Sequence, residues 1–251
     1  MAVLLDLDNT LFDSSKIYYA TIKSLEANAK SLGFSSGKEF KKLYDSVRTE
    51  VKKELPENPV NRLRILYFKK ISELLHKGVD PAFILRLDAA YFRFFLDGIK
   101  EWKKENLAEF KRILSLLREL QEVQSIVLIT NESLRTQVLK LSVLLPKDIR
   151  YGLVTSEESG AEKPSPVIFQ KALNGEDPKK SYLIGDSLQD DIKGGLSLGL
   201  ETFHLDAPIA SGKKKTVLEK KSLDGKSYWH SPDLASALNY ILSLENGNLV
   251  L

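Results

Sequence analysis

Asp6 and Asp8 stand two residues apart at the end of an apolar run, Val3-Leu4-Leu5. Side chains at i and i+2 share one face of a strand, so both carboxylates are expected in one small space at a strand end. Two charges that close repel by roughly 4 kcal/mol at an effective dielectric of about 20. The pair calls for a cation, a proton or both. Asp-Leu-Asp-Asn is also an ordinary polar turn after a strand, and the rest of the chain decides between the two readings.

Three further segments hold suitable partners. Thr130 and Asn131 follow the apolar run Ser125–Ile129, and Asp186 follows Tyr182–Ile184. Asp190 and Asp191 lie within a turn of Asp186, and Glu162-Lys163-Pro164 lies between these two segments. In open parallel sheets, ligands bind at the carboxyl ends of strands near the switch point, where these residues are expected to converge. Two or three carboxylates at one site suit Mg²⁺, a hard cation that takes oxygen ligands and shares them with substrate phosphate. One carboxylate can act as a nucleophile through an aspartyl-phosphate, and a second can move a proton to the leaving oxygen. A hydroxyl and an ammonium can hold phosphoryl oxygens as charge develops.

The elements that position these groups come in two textures. Between about residues 14 and 104, side chains of one helix face recur three and four apart, as in Ile17, Ala20, Thr21, Ser24 and Leu25 and again in Phe68, Ile71. Turn signals at Gly33 to Gly37, Pro56 to Pro59 and Gly78 to Pro81 divide this stretch into about four helices. From about Leu107 onward, strand and helix patterns alternate. Strands are expected at 125–129, 150–154, 182–184, 201–205 and 228–231, with helices at 110–120, 134–145, 167–173 and 234–244. Such alternation implies a parallel sheet covered on both faces. The strand expected at Val3 to Asp8 belongs to it, so the fold class is α/β, a doubly wound parallel sheet with an inserted α-helical cap domain. The expected division is 1–13 and 106–251 for the catalytic core, and 14–105 for the cap. Lys and Arg number 19 against 12 Asp and Glu in 14–105, and 18 against 22 elsewhere. A basic cap over an acidic core suits an anionic substrate with a metal below it, although single lysines on helix faces are ordinary solvated residues.

Asp-Leu-Asp-Asn-Thr from Asp6, Leu-Ile-Thr-Asn ending at Asn131, Glu-Lys-Pro-Ser-Pro from Glu162, and Ile-Gly-Asp-Ser leading to Asp191-Ile192 follow one another in order. Together they resemble the four motifs of the haloacid dehalogenase-like hydrolase superfamily, over nearly the whole chain. The resemblance implies a Rossmann-like core, a helical cap and Mg²⁺. Asp6 would be the nucleophile and Asp8 the general acid/base, with Asp8 also reaching the metal through its backbone carbonyl. Thr130, Asn131 and Lys163 would bind phosphate, and Lys163 would offset the carboxylate repulsion. Asp6, Asp8 and Asp186 would hold the metal, with Asp191 behind them. Asp190 falls out of register and reads as an acid at a helix N-terminus. Asn9 replaces the more usual glycine, and Asn tolerates left-handed backbone. The second acid, Asp8, argues for phosphoester chemistry over dehalogenation. The implied activity is Mg²⁺-dependent hydrolysis of a small phosphomonoester: a sugar phosphate, a nucleotide or a small acid phosphate. The alternatives are a phosphomutase with the same residues and an inactive phosphate-binding protein.

The remaining signals bound the setting. With no cysteine, the chain has neither disulfides nor thiolate metal sites. Its first residues lack a basic leader pattern and no apolar run approaches the roughly 18 residues of a membrane span, so a cytoplasmic protein is expected. The spread of basic residues gives no nucleic-acid stripe, and the expected partner is a small phosphorylated metabolite. A monomer or weak homo-oligomer is expected. His76, His204 and His230 read as structural or surface residues, and Trp102 and Trp229 as packing residues. Ser133, Asn131 or Thr130 is the expected cap of the helix that follows. Ser35, Ser36 and Lys38 read equally as substrate-selecting or as an exposed turn. The stretch 210–228, with Lys213-Lys214-Lys215, reads as an exposed hairpin or loop with no assigned role.

Overall fold

In β1 (Ala2–Leu5) every side chain is buried, and successive residues serve opposite sides of the sheet. Val3 and Leu5 join one apolar cluster and Ala2 and Leu4 another, the period of two that a strand covered on both faces requires. The computed structural model describes residues 1–56, 58–209 and 218–245.

After β1 come four helices: α1 (Ser14–Ala27), α2 (Gly37–Glu54), α3 (Arg64–His76) and α4 (Pro81–Glu105). Alternating elements follow: α5 (Leu107–Val123), β2 (Ser125–Thr130), α6 (Leu134–Leu144), β3 (Gly152–Thr155), the short α7 (Ser156–Ser159) and α8 (Pro166–Leu173). Then come β4 (Tyr182–Gly185), α9 (Lys193–Leu198), β5 (Glu201–Leu205), β6 (Glu219–Leu223), β7 (Lys226–Ser231) and α10 (Leu234–Glu245).

The sheet runs β3-β2-β1-β4-β5-β7-β6, all parallel except the β6–β7 pair. From β1 the chain builds outward through β2 and β3, then crosses back to place β4 on the other side of β1. The switch point therefore lies beside β1, and the residues after β1, β2 and β4 open into one crevice. This is the doubly wound α/β fold with a helical insert.

Local chemistry fixes the helix starts. Asp80 accepts from Ala82 N and Phe83 N, and Pro81 occupies the first helical position of α4. Ser36 Oγ caps α2 by accepting from Glu39 N at 3.2 Å. Ser133, not Thr130 or Asn131, caps α6. One apolar cluster runs from Tyr44 and Phe68 in the insert to Phe110 and β1. Trp102 sits at this junction, edge-on to both Phe12 and Phe110, as a packing residue should.

One expectation needs correction. The first strand stops at Leu5 rather than Asp8. Asp6 N still donates to Ile184 O at 2.9 Å, after which Asn9 adopts a left-handed φ of 62° and turns the chain. Of the stretch 210–228, residues 210–217 with the three lysines lie outside the described residues. The remainder includes β6 and the start of β7, joined by Asp224 and Gly225 at φ 49° and 77°, a pair suited to a tight hairpin.

Candidate active site

Lys163 Nζ donates to Asp6 Oδ1 and Asp191 Oδ1, both at 2.6 Å, and to the Ile129 carbonyl at 3.2 Å. Its side chain is 3% exposed, those of Asp6 and Asp191 6% and 1%. Ions this buried are stable only when paired and hydrogen-bonded. Asn131 holds the lysine by its backbone: Lys163 N donates to Asn131 Oδ1 at 2.7 Å, and Asn131 Nδ2 donates to Lys163 O at 3.1 Å. Asn131, expected to bind phosphate, lines the cleft and also positions Lys163 through both ends of its amide.

Asp6, Asp186 and Asp191 each bring a carboxylate oxygen within 4.8 Å of the others. Three carboxylates against the single ammonium of Lys163 leave two negative charges, the complement of one divalent cation. Asp6 Oδ2 is buried with no hydrogen-bond partner among the described residues. Burial pushes the Asp6 carboxyl up to about 8, against the lowering effect of Lys163, and Asp191 and Asp186 add to the rise. Asp186 is raised to about 6, again chiefly by burial and then by Asp191. The donor set is all hard oxygen, and together these observations fit Mg²⁺. Asp8 contributes no carboxylate to this trio.

Position is enforced from behind. Ser187 N donates to Asp191 Oδ2 at 3.1 Å. Gly185 is required here because a Cβ at that position would overlap the Asp191 carboxyl group. The Asp186 carbonyl accepts from His204 Nε2 at 2.9 Å, so this histidine supports the strand end from β5. His204 and His230, far apart in sequence, stack at 5.7 Å across the β5–β7 pair, and His230 Nε2 lies 2.8 Å from Asp206 Oδ1. Sequence distance concealed that grouping. Asp190 heads its short helical turn as expected, its N bonded to Ser187 Oγ, and it also lines the crevice.

Asp8 has different company. Lys140 Nζ donates to both its oxygens, at 2.7 and 2.8 Å, and Gln137 Nε2 donates to Oδ2 at 2.9 Å. The same Gln137 amide donates to Thr130 Oγ1 at 2.6 Å, tying the two motif residues together. Burial alone would raise the Asp8 carboxyl, but the charge and hydrogen bonds of Lys140 outweigh it and hold the group below its usual range. Gln137 and Lys140 lie three apart on α6, one face of one helix. That spacing was visible in the sequence, but nothing there said which face meets Asp8.

A cleft of about 410 Å³ lies over these residues. Asp6, Asp8, Thr130, Lys163 and Asp186 line its floor, and Tyr18, Arg48, Arg64 and Phe92 of the insert are among those closing it from above. The cleft is therefore shared between sheet and insert. Ser35, Ser36 and Lys38 do not line it. Both Ser35 N and Ser35 Oγ donate to Glu39 Oε2, so this loop builds the start of α2.

The family model of haloacid dehalogenase-like hydrolases matches residues 1–199 of the chain. The chain belongs to this family. Among its relatives is ribulose-1,5-bisphosphate 5-phosphatase of Halopiger xanaduensis, 34% identical over 209 residues, covering 82% of this chain and 84% of the relative. Human N-acylneuraminate-9-phosphatase is 27% identical over 209 residues, 80% of this chain and 79% of the relative. The crystal structure of a phosphatase of the same family from Thermococcus onnurineus shares the fold at TM-score 0.59 with 18% identity, covering 99% of both chains. The expected phosphatase-type member of the haloacid dehalogenase-like hydrolases is borne out. No helix among the described residues is long and apolar enough to cross a membrane.

Proposed function

We propose that this haloacid dehalogenase-like enzyme hydrolyses a small phosphomonoester through an aspartyl-phosphate on Asp6. The observation that carries the reading is the bridge from Lys163 Nζ to Asp6 and Asp191 beside Asp186, which leaves Asp6 Oδ2 buried and unpartnered. Mg²⁺, held by Asp6, Asp186 and the Asp8 carbonyl with Asp191 behind them, would neutralise the two excess charges and draw charge from the phosphoryl oxygens.

In the first half-reaction an Asp6 oxygen forms a bond to phosphorus as the ester P–O bond breaks. Lys163 and Thr130 face the phosphoryl oxygens and stabilise the charge that gathers there. The leaving oxygen takes a proton from Asp8. At rest Lys140 keeps Asp8 ionised, but an arriving phosphate dianion is a like charge that favours the protonated carboxyl. In the second half-reaction water attacks phosphorus, its proton passes to the Asp8 carboxylate, and Asp6 leaves with the electron pair of the acyl-phosphate bond. Asn131 and Gln137 orient Lys163, Thr130 and Asp8 without touching the reacting atoms. Residues 14–105 act as the cap that excludes bulk water while the phosphoryl group is in transit.

The relatives named for ribulose bisphosphate, an acylneuraminate phosphate and glyceraldehyde phosphate favour a sugar-like ester as substrate. Phosphate release from a panel of such esters and p-nitrophenyl phosphate, with and without Mg²⁺, tests the reading. Release is expected to need Mg²⁺ and to fall at least about 10³-fold in Asp6→Asn, a near-isosteric change that removes the nucleophile. A correctly folded Asp6→Asn protein with wild-type rates would sink the nucleophile assignment.

A further inference from the structure

The roof of the cleft carries a second cluster of charge, of opposite sign to the floor. Arg48 projects from α2, Arg62 ends the short helical turn before α3 and Arg64 opens α3; all three line the cleft. Arg62 has a carboxylate partner, its Nε donating to Glu162 Oε1 at 2.7 Å. Arg64 has none within hydrogen-bond distance among the described residues. One of its amino groups donates to the Arg62 carbonyl, another stands 3.9 Å from Glu132 Oε2, and its Nε is buried with no partner among the described residues. Arg48 takes part in no ion pair and no side-chain hydrogen bond among the described residues. The contact that marks its place is the Tyr18 ring, 5.9 Å from its guanidinium carbon.

These arginines are held in place by aromatic packing. The Arg64 guanidinium carbon lies 5.5 to 5.6 Å from the ring centroids of Tyr18, Tyr67 and Tyr91, and its side chain is only 17% exposed. The tyrosine faces supply cation–π attraction but accept few of the guanidinium N–H groups. Three guanidinium groups, with Lys52 behind them, stand against three carboxylates, Glu162, Glu132 and Asp190, so the roof keeps one positive charge in excess. Lys52 behind it is lowered by burial and then by Arg48, Arg62 and Arg64, a sign that these cations lie close enough to repel one another. A buried cation with open donors is stable when an anion completes it. The planar fork of arginine matches the oxygens of a carboxylate or a phosphate.

Resting on the phosphatase reading of the floor, we propose that the roof is a second anion subsite: Arg48 and Arg64 bind a carboxylate or a second phosphate at the far end of the substrate. The phosphoryl group to be transferred sits over Asp6, and the distal anion sits under the insert. The substrate is thus a small two-anion molecule, a bisphosphate or a phosphorylated acid. Charge selects it: a one-anion ester leaves the Arg64 Nε–H and the Arg48 fork unmatched, and unmatched buried donors weaken binding.

Matched pairs of esters test this. Glycerol phosphate is compared with phosphoglycerate, and a hexose monophosphate with the corresponding bisphosphate. Each is run with wild type, Arg48→Gln and Arg64→Gln, and p-nitrophenyl phosphate serves as the one-anion reference. The wild type is expected to prefer the two-anion member of at least one pair by about ten-fold or more in kcat/KM. The pair in which this happens tells carboxylate from phosphate. Both substitutions are expected to erase most of that preference, mainly through KM. Arg48 is half-buried and outside the tyrosine box, so Arg48→Gln remains informative if Arg64→Gln misfolds. A wild type that cleaves p-nitrophenyl phosphate with no preference in either pair would overturn the subsite, as would a preference that survives both substitutions. If no ester is cleaved, the phosphatase reading itself fails. Calorimetry with the same ligands then decides the subsite: tighter two-anion binding that Arg48→Gln weakens supports it, and equal binding overturns it.

Discussion

Lys140 Nζ spans both carboxylate oxygens of Asp8, at 2.7 and 2.8 Å, from a helix 132 residues further along the chain. The contact is nearly sealed: the Lys140 side chain is 6% exposed and that of Asp8 27%. An ion pair this close sets the proton affinity of the group proposed to move protons. It also couples Asp8 to Thr130, because Gln137, one turn earlier on α6, bonds to both.

Lys140→Met is therefore expected to act through Asp8. Removing the ammonium leaves burial as the main influence on the carboxyl, so its pKa rises. The alkaline limb of the kcat/KM profile, where the general acid loses its proton, should move to higher pH, with kcat lower by about 10- to 100-fold. Profiles of wild type and variant that superimpose after scaling would show that Lys140 does not set the titration of Asp8.

Stability of the metal-free protein should fall as pH rises. Asp6 and Asp186 are raised in the folded state to about 8 and about 6. The folded protein therefore holds protons that the unfolded chain has already released between about pH 4 and 8, and the associated stability is lost across that window. Mg²⁺ displaces the same protons, so its affinity should rise over the same range. Melting temperatures from about pH 5 to 9 are expected to drop without Mg²⁺ and to hold or rise with it. A site saturated a hundred-fold above Kd adds about 2.7 kcal/mol. A Mg²⁺-induced shift that does not change with pH would argue against these carboxylates as ligands.

Gly185→Ala should damage the metal site more than the fold. The added methyl group meets the Asp191 carboxyl, which must then move away from Lys163 and Ser187. Overpacking of this kind costs about 1 to 3 kcal/mol, while loss of a positioned outer carboxylate weakens metal binding about 10- to 100-fold. Calorimetric titration with Mg²⁺ beside a denaturant melt separates the two effects. Unaltered Mg²⁺ affinity would mean that Asp191 has no part in holding the metal.

Much of this protein was legible in its sequence. The apolar runs before Asp6, Thr130 and Asp186 are strand signals of period two or of full burial, and a strand carries its side chains to one end whatever the rest of the chain does. Three motifs on such ends, with the Lys163 motif from the connection between α7 and α8, fix a crevice lined with carboxylates. The helical insert followed from its 3.6-residue periodicity and three turn signals. These are local patterns, and local patterns are what a sequence states directly.

What only the tertiary structure decided depends on which helix faces meet. Gln137 and Lys140 look like any polar pair on an amphipathic helix until α6 packs against α4 and places them on Asp8. Nothing local to Asn131 says that its amide closes on the backbone of Lys163, 32 residues away. His204 and His230 meet because β5 and β7 pair in one particular register. Arg48, Arg62 and Arg64 are three cations among many in a basic segment, and no spacing rule distinguishes them. Long-range packing turns them inward over Asp6 and boxes Arg64 with three tyrosines. The sequence determined the chemistry at the strand ends because backbone geometry delivers it there; partners and specificity waited for packing, which brings together residues that no local period connects.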